Sequence, residues 1–244
     1  THATLSALFS WAIRRGLLEL DANPAVLAWK PEPPPARDRV LSLEELAAIW
    51  RATDPASDFG AIVRLLVLTG CRREEVGGMT WAELDLERGT WLLPATRTKN
   101  RRPHLVPLSP PARALLEQRP RRYGRPFVFG TGVNGFVGWS HAKARLDAAL
   151  PEALGRPIAP WRLHDLRRSV VTGLAEHGLA PPHIVEAIVN HASGHKAGVA
   201  GVYNRAAYEP EKRRALDRWA ALLLEAAGEA RPEAKVVALA GARP

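Results

Sequence analysis

Arginine, histidine, lysine and tyrosine recur along this 244-residue chain in local contexts suited to work on a phosphate. The stretch Leu68-Thr-Gly-Cys-Arg-Arg-Glu-Glu-Val76 puts Arg72 just after Gly70, which closes one apolar helical segment, and near the start of the next. A guanidinium fixed there can grip two non-bridging phosphate oxygens at once, which a lysine ammonium cannot do with the same geometry. The same residue can equally cap a helix or pair with Glu75 on the surface. His164-Asp-Leu-Arg167 sets an imidazole and a guanidinium at i and i+3, on one helical face, although this spacing alone is common. Lys99, in Thr98-Lys-Asn-Arg-Arg-Pro-His-Leu-Val-Pro107, falls in a turn between two strand-like runs. From there a long amine can reach out of a sheet, or belong to a solvated basic hairpin that only touches a nucleic-acid backbone. Tyr203 lies in Gly201-Val-Tyr-Asn-Arg205, twelve residues after His191, among small apolar neighbours where a tyrosine ordinarily packs with its hydroxyl at the rim.

Other motifs lead elsewhere and fail on context. Gly130-Thr-Gly-Val-Asn-Gly135 matches GxGxxG and follows the strand-like Phe127-Val-Phe129. A dinucleotide fold also needs an acidic residue closing a second strand about twenty residues on, and that region, Ala148-Ala-Leu-Pro-Glu152, reads as a helix end, so a surface loop is the better description. His191 and His195 are four apart, but Ser193-Gly194 between them breaks the helix that would align them as ligands, and HExxH is absent. There is no Walker A loop, and no acidic triplet of the kind a two-metal nuclease uses. No metal or cofactor is therefore expected.

The elements that must position these groups follow from patterning. Ser42-Leu-Glu-Glu45 forms a capping box that opens a helix to about Ala52, and the apolar run from Phe59 to Thr69 stops at Gly70. Short runs around Leu84, Thr90 to Leu93 and His104 to Leu108 predict a small antiparallel meander. Helical periodicity appears over 3–13, 110–118, 137–150, 164–177, 182–191 and 210–227. From Pro24 to Val40, prolines among charges predict an extended polyproline-like linker and a domain boundary. The fold class is mainly α with a small antiparallel β-sheet. Residues 1–30 form one unit, 31–40 a linker, 41–228 the main domain and 229–244 a tail, in which the short apolar run 235–240 can dock on something.

Composition bounds the setting. With 46% hydrophobic residues the chain can bury one good core. Its net charge of +9 points to a polyanionic partner without identifying it. Cys71 is the only cysteine, which excludes an intrachain disulfide and suits a reducing compartment. No run is apolar enough to span a bilayer and no signal pattern opens the chain, so a cytoplasmic, non-membrane protein is expected. Because the first residue is Thr1 and helical patterning begins at once, a longer protein with further sequence upstream is expected.

Taken together and in this order, the motifs resemble the tyrosine recombinase (phage integrase) family over roughly residues 40 to 225. Thr69-Gly-Cys-Arg72 with Glu75 resembles its first arginine box, Lys99 its hairpin lysine, His164-Asp-Leu-Arg167 its HxxR box and Asn190-His191 its Gly-His box, while Tyr203 occupies the place of its nucleophile. Residues 1 to 29 are similar to the end of that family's core-binding, SAM-like domain. The family's usual Leu-Gly-His is here Val189-Asn-His191, and the gap to the tyrosine is longer and glycine-rich, as in the prophage and genomic-island branch. Tyr208, five residues on, is the alternative register.

The resemblance implies the DNA breaking-rejoining catalytic fold and site-specific cleavage and rejoining of double-stranded DNA attachment sites through a 3′-phosphotyrosyl intermediate, without cofactor. It implies that Arg72 and Arg167 clamp the phosphate, that His191 adds a hydrogen bond, and that Lys99 is the general acid. His164 would assist proton transfer or orient the phosphate, Tyr203 would attack, and Glu75 would orient Arg72 or a histidine. Arg97, Arg101, Arg102 and Arg168 are expected to contact DNA. It further implies a homotetramer on two sites, with the segment after Pro210 packing on a neighbour. A type IB topoisomerase shares this chemistry and is the alternative, as is an integrase fragment that binds DNA but has lost catalysis.

Overall fold

A computed structural model describes residues 2–29, 32, 38–132, 134–191 and 208–229. Tyr203, His195 and the run 235–240 lie outside the described residues. The chain divides into two compact units, Thr1–Asp38 and Arg39–Pro244.

In the first unit, helix α1 spans His2–Arg14, and the chain from Pro24 is not extended at once. Pro24–Val26 forms a 3-10 turn, because Pro24 presets the first helical φ and the Asn23 side chain accepts the Ala25 N–H at 2.9 Å. The Asn23 amide also donates to the Ser6 carbonyl and to Ser10 Oγ, both at 2.8 Å, which ties the turn to α1.

The second unit opens with α2, Leu43–Ala52, on the expected capping box: Ser42 Oγ accepts the Glu45 N–H and the Glu45 carboxylate accepts the Ser42 N–H. Helix α3, Asp58–Thr69, is buried on nearly every side, as an almost uniformly apolar helix must be. Around it lie α4 (Arg73–Gly77), α5 (Pro110–Glu117), α7 (Leu163–Glu176) and α9 (Glu209–Ala227). Helix α6 (Trp139–Leu154) packs on α2, and α8 (Pro182–Ile188) packs on α7 and α9. Strands β1 (Leu84–Asp85), β2 (Thr90–Leu93) and β3 (His104–Pro107) form an antiparallel sheet in that order, with Trp91 opposite Val106 and Leu93 opposite His104. The architecture is the expected one, mainly helical with a small antiparallel sheet.

Several boundaries differ from the sequence expectation, each for a local reason. Helix α6 starts at Trp139, after Gly138 in the left-handed region, and runs on through Pro151, which lies in its last turn where a missing donor costs one bond. Helix α8 ends at Ile188 rather than 191, because Asn190 is left-handed at φ 49°. Helix α9 is buried through Leu216, Trp219, Leu223 and Leu224. The GxGxxG loop is a structural tether: the Gly130 N–H donates to the Asp58 carboxylate at 2.7 Å, putting negative charge where a pyrophosphate would sit. Among the described residues, no helix is long and apolar enough to cross a membrane.

The carbonyls at the end of α3 illustrate how core and site are coupled. Gly70 adopts φ 65°, a left-handed conformation that an L side chain resists, and donates its N–H to Leu66. The neighbouring Val67 carbonyl receives the buried Trp219 indole N–H at 2.8 Å from α9. Close approach of α9 and α7 requires Gly173, where a Cβ would stand 2.5 Å from the Trp219 ring. Trp219→Phe removes that donor from a buried carbonyl and is expected to cost about 1–3 kcal/mol. Urea unfolding reads the difference, and an unchanged midpoint would contradict the role given to this bond.

Candidate active site

The end of α3 and the start of α4 set the first cation. Arg72 occupies the N-cap of α4 in extended conformation. The Glu75 carboxylate, only 5% exposed, accepts both the Arg72 main-chain N–H and its Nη1, each at 2.8 Å. Arg72 therefore pairs with Glu75, and with a quarter of its side chain exposed it also lines a cavity.

Arg167, on α7, is 8% exposed. Its Nη1 donates to the Gly70 carbonyl at 2.7 Å and its Nη2 to the Val189 carbonyl, so it bridges the ends of α3 and α8. Burial and then the positive charge of Arg72 pull its pKa below the usual arginine value, with Cys71 and Glu75 opposing. Burial pushes the Cys71 thiol up to about 12, so it stays neutral at ordinary pH and offers no countercharge. Glu75 is thus the anion that pairs with Arg72 and also opposes the positive field on Arg167.

Arg72, Glu75, Arg97, Lys99 and His164 come together in the wall of one cavity of about 730 Å³. Its lining holds six arginine and lysine side chains against three acidic ones, so the basin is net positive and suits an anion. All three acids are already paired, Glu75 with Arg72, Glu74 with Arg73 and Asp147 with Lys143. Lys99 is exposed in the turn joining β2 to β3, as expected. His164 is exposed in the first turn of α7. Partial loss of hydration lowers its pKa, helped by Arg167 and Arg168, which favours a neutral imidazole. The aromatic part of the wall is Trp139, whose ring carries the Arg73 guanidinium at 5.0 Å, and Trp161, under Lys143 at 3.8 Å.

Arg167 and His191 are not in the cavity lining. Arg167 lies behind it, joined to Gly70, two residues before Arg72. His191 is exposed just past α8, where its N–H donates to the Glu186 carbonyl at 3.0 Å. With Asn190 N–H donating to Ala187, this closes a Schellman turn around left-handed Asn190. Asparagine tolerates that conformation next best after glycine, which explains how Asn190 stands where the family usually has glycine. Tyr208 precedes α9, its ring edge-on to His183 at 5.5 Å, and is also outside the lining. Arg101 and Arg102 are exposed in the Lys99 turn. Arg97 is held by Glu83 and by the Glu75 carbonyl, and Arg168 by Asp165 and the Arg39 carbonyl.

Sequence reasoning missed the residues that join these pieces. Asn100 pairs with Asn190 across ninety positions, and His104, on β3, bonds through Nε2 to the Ile188 carbonyl at 2.9 Å. A carbonyl only accepts, so Nε2 carries the proton. Burial, then Lys212, pull the His104 pKa from 6.5 to about 3 and keep the ring neutral. The only signal for either was position: Asn100 beside Lys99, Asn190 beside His191, and a histidine in a strand register facing the core.

Residues 39–209 match the phage integrase family. The chain is 31% identical over 230 residues to prophage integrase IntA of Escherichia coli (strain K12), which covers 91% of this chain and 53% of that relative. It is 30% identical over 203 residues to tyrosine recombinase XerC 2 of Ralstonia nicotianae, covering 78% of this chain and 56% of that one. The chain spans about half the length of the curated relatives it matches. Among solved structures, a lambda integrase (75–356) dimer bound to a COC′ core site aligns with TM-score 0.56 at 18% identity, over 79% of this chain and 70% of that one, a likeness of fold.

The buried His104 makes stability depend on pH in a definite direction. Its folded pKa lies below its unfolded value, so the unfolded chain binds the extra proton first as pH falls. The contribution is complete above about 6.5 and is lost progressively toward about 3. Between pH 7 and 5.5 this group alone is expected to remove about 1 kcal/mol. Urea unfolding at the two pH values, compared with a His104→Gln variant, should show a smaller fall in the variant; equal falls would contradict the assignment.

Proposed function

The chain belongs to the phage integrase family, and on that premise we propose that it is the catalytic part of a tyrosine recombinase that cuts and rejoins DNA through Tyr203. The observation that carries this reading is the positive basin holding Arg72, Lys99 and His164, with Arg167 bonded behind it. A phosphodiester is the anion such a basin fits, because its two non-bridging oxygens match guanidinium donors. Membership of the family and the similarity to XerC 2, a tyrosine recombinase, support the choice of nucleophile. The core site bound by the lambda integrase dimer supports duplex DNA as the substrate.

In the proposed reaction the Tyr203 phenol oxygen attacks the scissile phosphorus, releasing its proton to solvent directly or through His164, as the bond to the 5′-oxygen breaks, leaving a 3′-phosphotyrosyl link. Arg72, oriented by Glu75, meets one non-bridging oxygen. Arg167 has one hydrogen on each terminal nitrogen engaged by a carbonyl and offers its remaining donors to the phosphate. These charges oppose the negative charge that grows in the transition state. Lys99 protonates the departing 5′-oxygen. His191 donates a further hydrogen bond, and His164, whose pKa is lowered by partial desolvation and then by Arg167 and Arg168, relays a proton or orients the phosphate. Attack by a 5′-hydroxyl of a partner strand reverses the step, and since one ester replaces another no nucleotide cofactor is consumed.

The exposed Arg101 and Arg102 are proposed to touch the DNA backbone directly. Arg97 and Arg168, committed within the protein, are assigned long-range attraction instead. Assembly is proposed as a homotetramer on paired sites. Because α9 lies in its own core, any exchanged segment is assigned to residues beyond 229, where the apolar run 235–240 lies.

Tyr203→Phe is the direct test. On a nicked duplex that releases the 5′ fragment, the variant is expected to bind DNA as the parent does and to form no covalent adduct. An adduct surviving in the variant would refute Tyr203 as nucleophile.

A further inference from the structure

The turn that carries Lys99 is fastened to the helix end that carries His191 by a pair of side-chain amides. Asn100 Nδ2 donates to the main-chain carbonyl of Asn190 at 3.1 Å and to its Oδ1 at 2.9 Å. Asn190 Nδ2 donates back to Asn100 Oδ1 at 3.3 Å. The main-chain carbonyl can only accept, which fixes the orientation of the Asn100 amide.

Both partners are anchored on their own sides. Asn100 Oδ1 accepts the Arg102 N–H at 3.2 Å, and Thr98 Oγ1, on the other side of Lys99, donates to the Arg102 carbonyl at 2.8 Å. Lys99 therefore projects from between two immobilised residues. Asn190 is the left-handed residue of the Schellman turn whose next N–H belongs to His191. Glycine would satisfy that backbone equally well and keep the main-chain carbonyl bond, but only a side-chain amide supplies the two reciprocal bonds to Asn100.

We propose that Asn100 and Asn190 are positioning residues that lock the Lys99 turn to the His191 turn, so that the ammonium and the imidazole reach the phosphate as one unit. This rests on the roles given above to Lys99 and His191. The physical reason is entropic and geometric. A lysine on a free hairpin samples many placements, and a displacement of about 1 Å can cost on the order of a hundredfold in rate. Cross-linking the hairpin to a helix end that Arg167 already holds transfers the rigidity of the core to the general acid.

The test is single-turnover cleavage of a nicked duplex with an ordinary scissile phosphate, beside the same duplex with sulfur as the 5′-bridging atom. A thiol is a far stronger acid than an alcohol, so the sulfur leaves without a proton donor. Asn100→Ala is expected to cleave the oxygen substrate about tenfold or more slowly, at unchanged DNA affinity, and the sulfur substrate near the parent rate. Asn190→Gly, which preserves the left-handed backbone and the bond to its main-chain carbonyl, should slow the oxygen substrate in the same direction but by less, and the double variant should be no slower than Asn100→Ala alone. Asn100→Asp keeps the size but lacks the donor and should behave like the alanine variant, so it carries the test if Asn100→Ala does not fold. Lys99→Ala on the two substrates separates the premises. If sulfur does not restore its cleavage, Lys99 is not the general acid and the positioning role falls with it. If sulfur does restore it, an Asn100 variant that is unimpaired on oxygen, or slowed equally on both substrates, overturns the amide lock alone.

Discussion

The buried guanidinium of Arg167 is the contact on which the rest of the site depends. Taking a charge out of water is costly unless every donor finds an acceptor, and here two acceptors are the Gly70 and Val189 carbonyls, at the ends of α3 and α8. Helix C-termini carry partial negative charge, so two helix ends facing one cation stabilise it and are in turn held at a fixed separation by it. The left-handed turn at Gly70 aims one of those carbonyls, and the burial of α3 fixes Gly70 itself. Core packing, backbone handedness and site geometry are in this way one constraint.

From that bridge the charge pattern follows. Gly70 and Cys71 lead directly to Arg72, which brings a second guanidinium into the field of the first, with Glu75 as the shared anion. The wall's other two acids are spent on their own cations, Glu74 on Arg73 and Asp147 on Lys143. With six arginine and lysine side chains against three acids, the wall keeps a net positive charge. The sheet then delivers Lys99 to the same cavity. His104 on β3 and Asn100 beyond Lys99 both bond to the end of α8, at Ile188 and Asn190. The small sheet is therefore joined to the helical core at two successive points near its functional turn.

How much of this could be read from sequence depended on whether the cause was local. The capping box at Ser42, the stop at Gly70, the helix that carries His164 and Arg167 and the meander around Lys99 all express interactions within a few residues, and all appear in the structure. Val189-Asn-His191 looked like a departure, and the left-handed turn at Asn190 supplies its reason. Contacts between distant segments left no such trace. Nothing in the periodicity of either stretch pairs Asn100 with Asn190 or Arg97 with Glu83, and nothing marks Arg167 as a bridge between main-chain carbonyls. The apolar face of α9 was visible, but a sequence does not say whether such a face meets its own chain or another. Tyr203 was legible only through order and context, and it lies outside the described residues.

The central claim is that Arg72, seated on Glu75 and backed by Arg167, neutralises the phosphate in the transition state. The most direct measurement is the single-turnover cleavage rate of Arg72→Ala on a nicked duplex at saturating protein, with the fold monitored by its unfolding midpoint. A fall of about 10²–10³ relative to the parent is expected from losing one such charge-stabilising group. A folded variant cleaving at close to the parent rate would contradict the account.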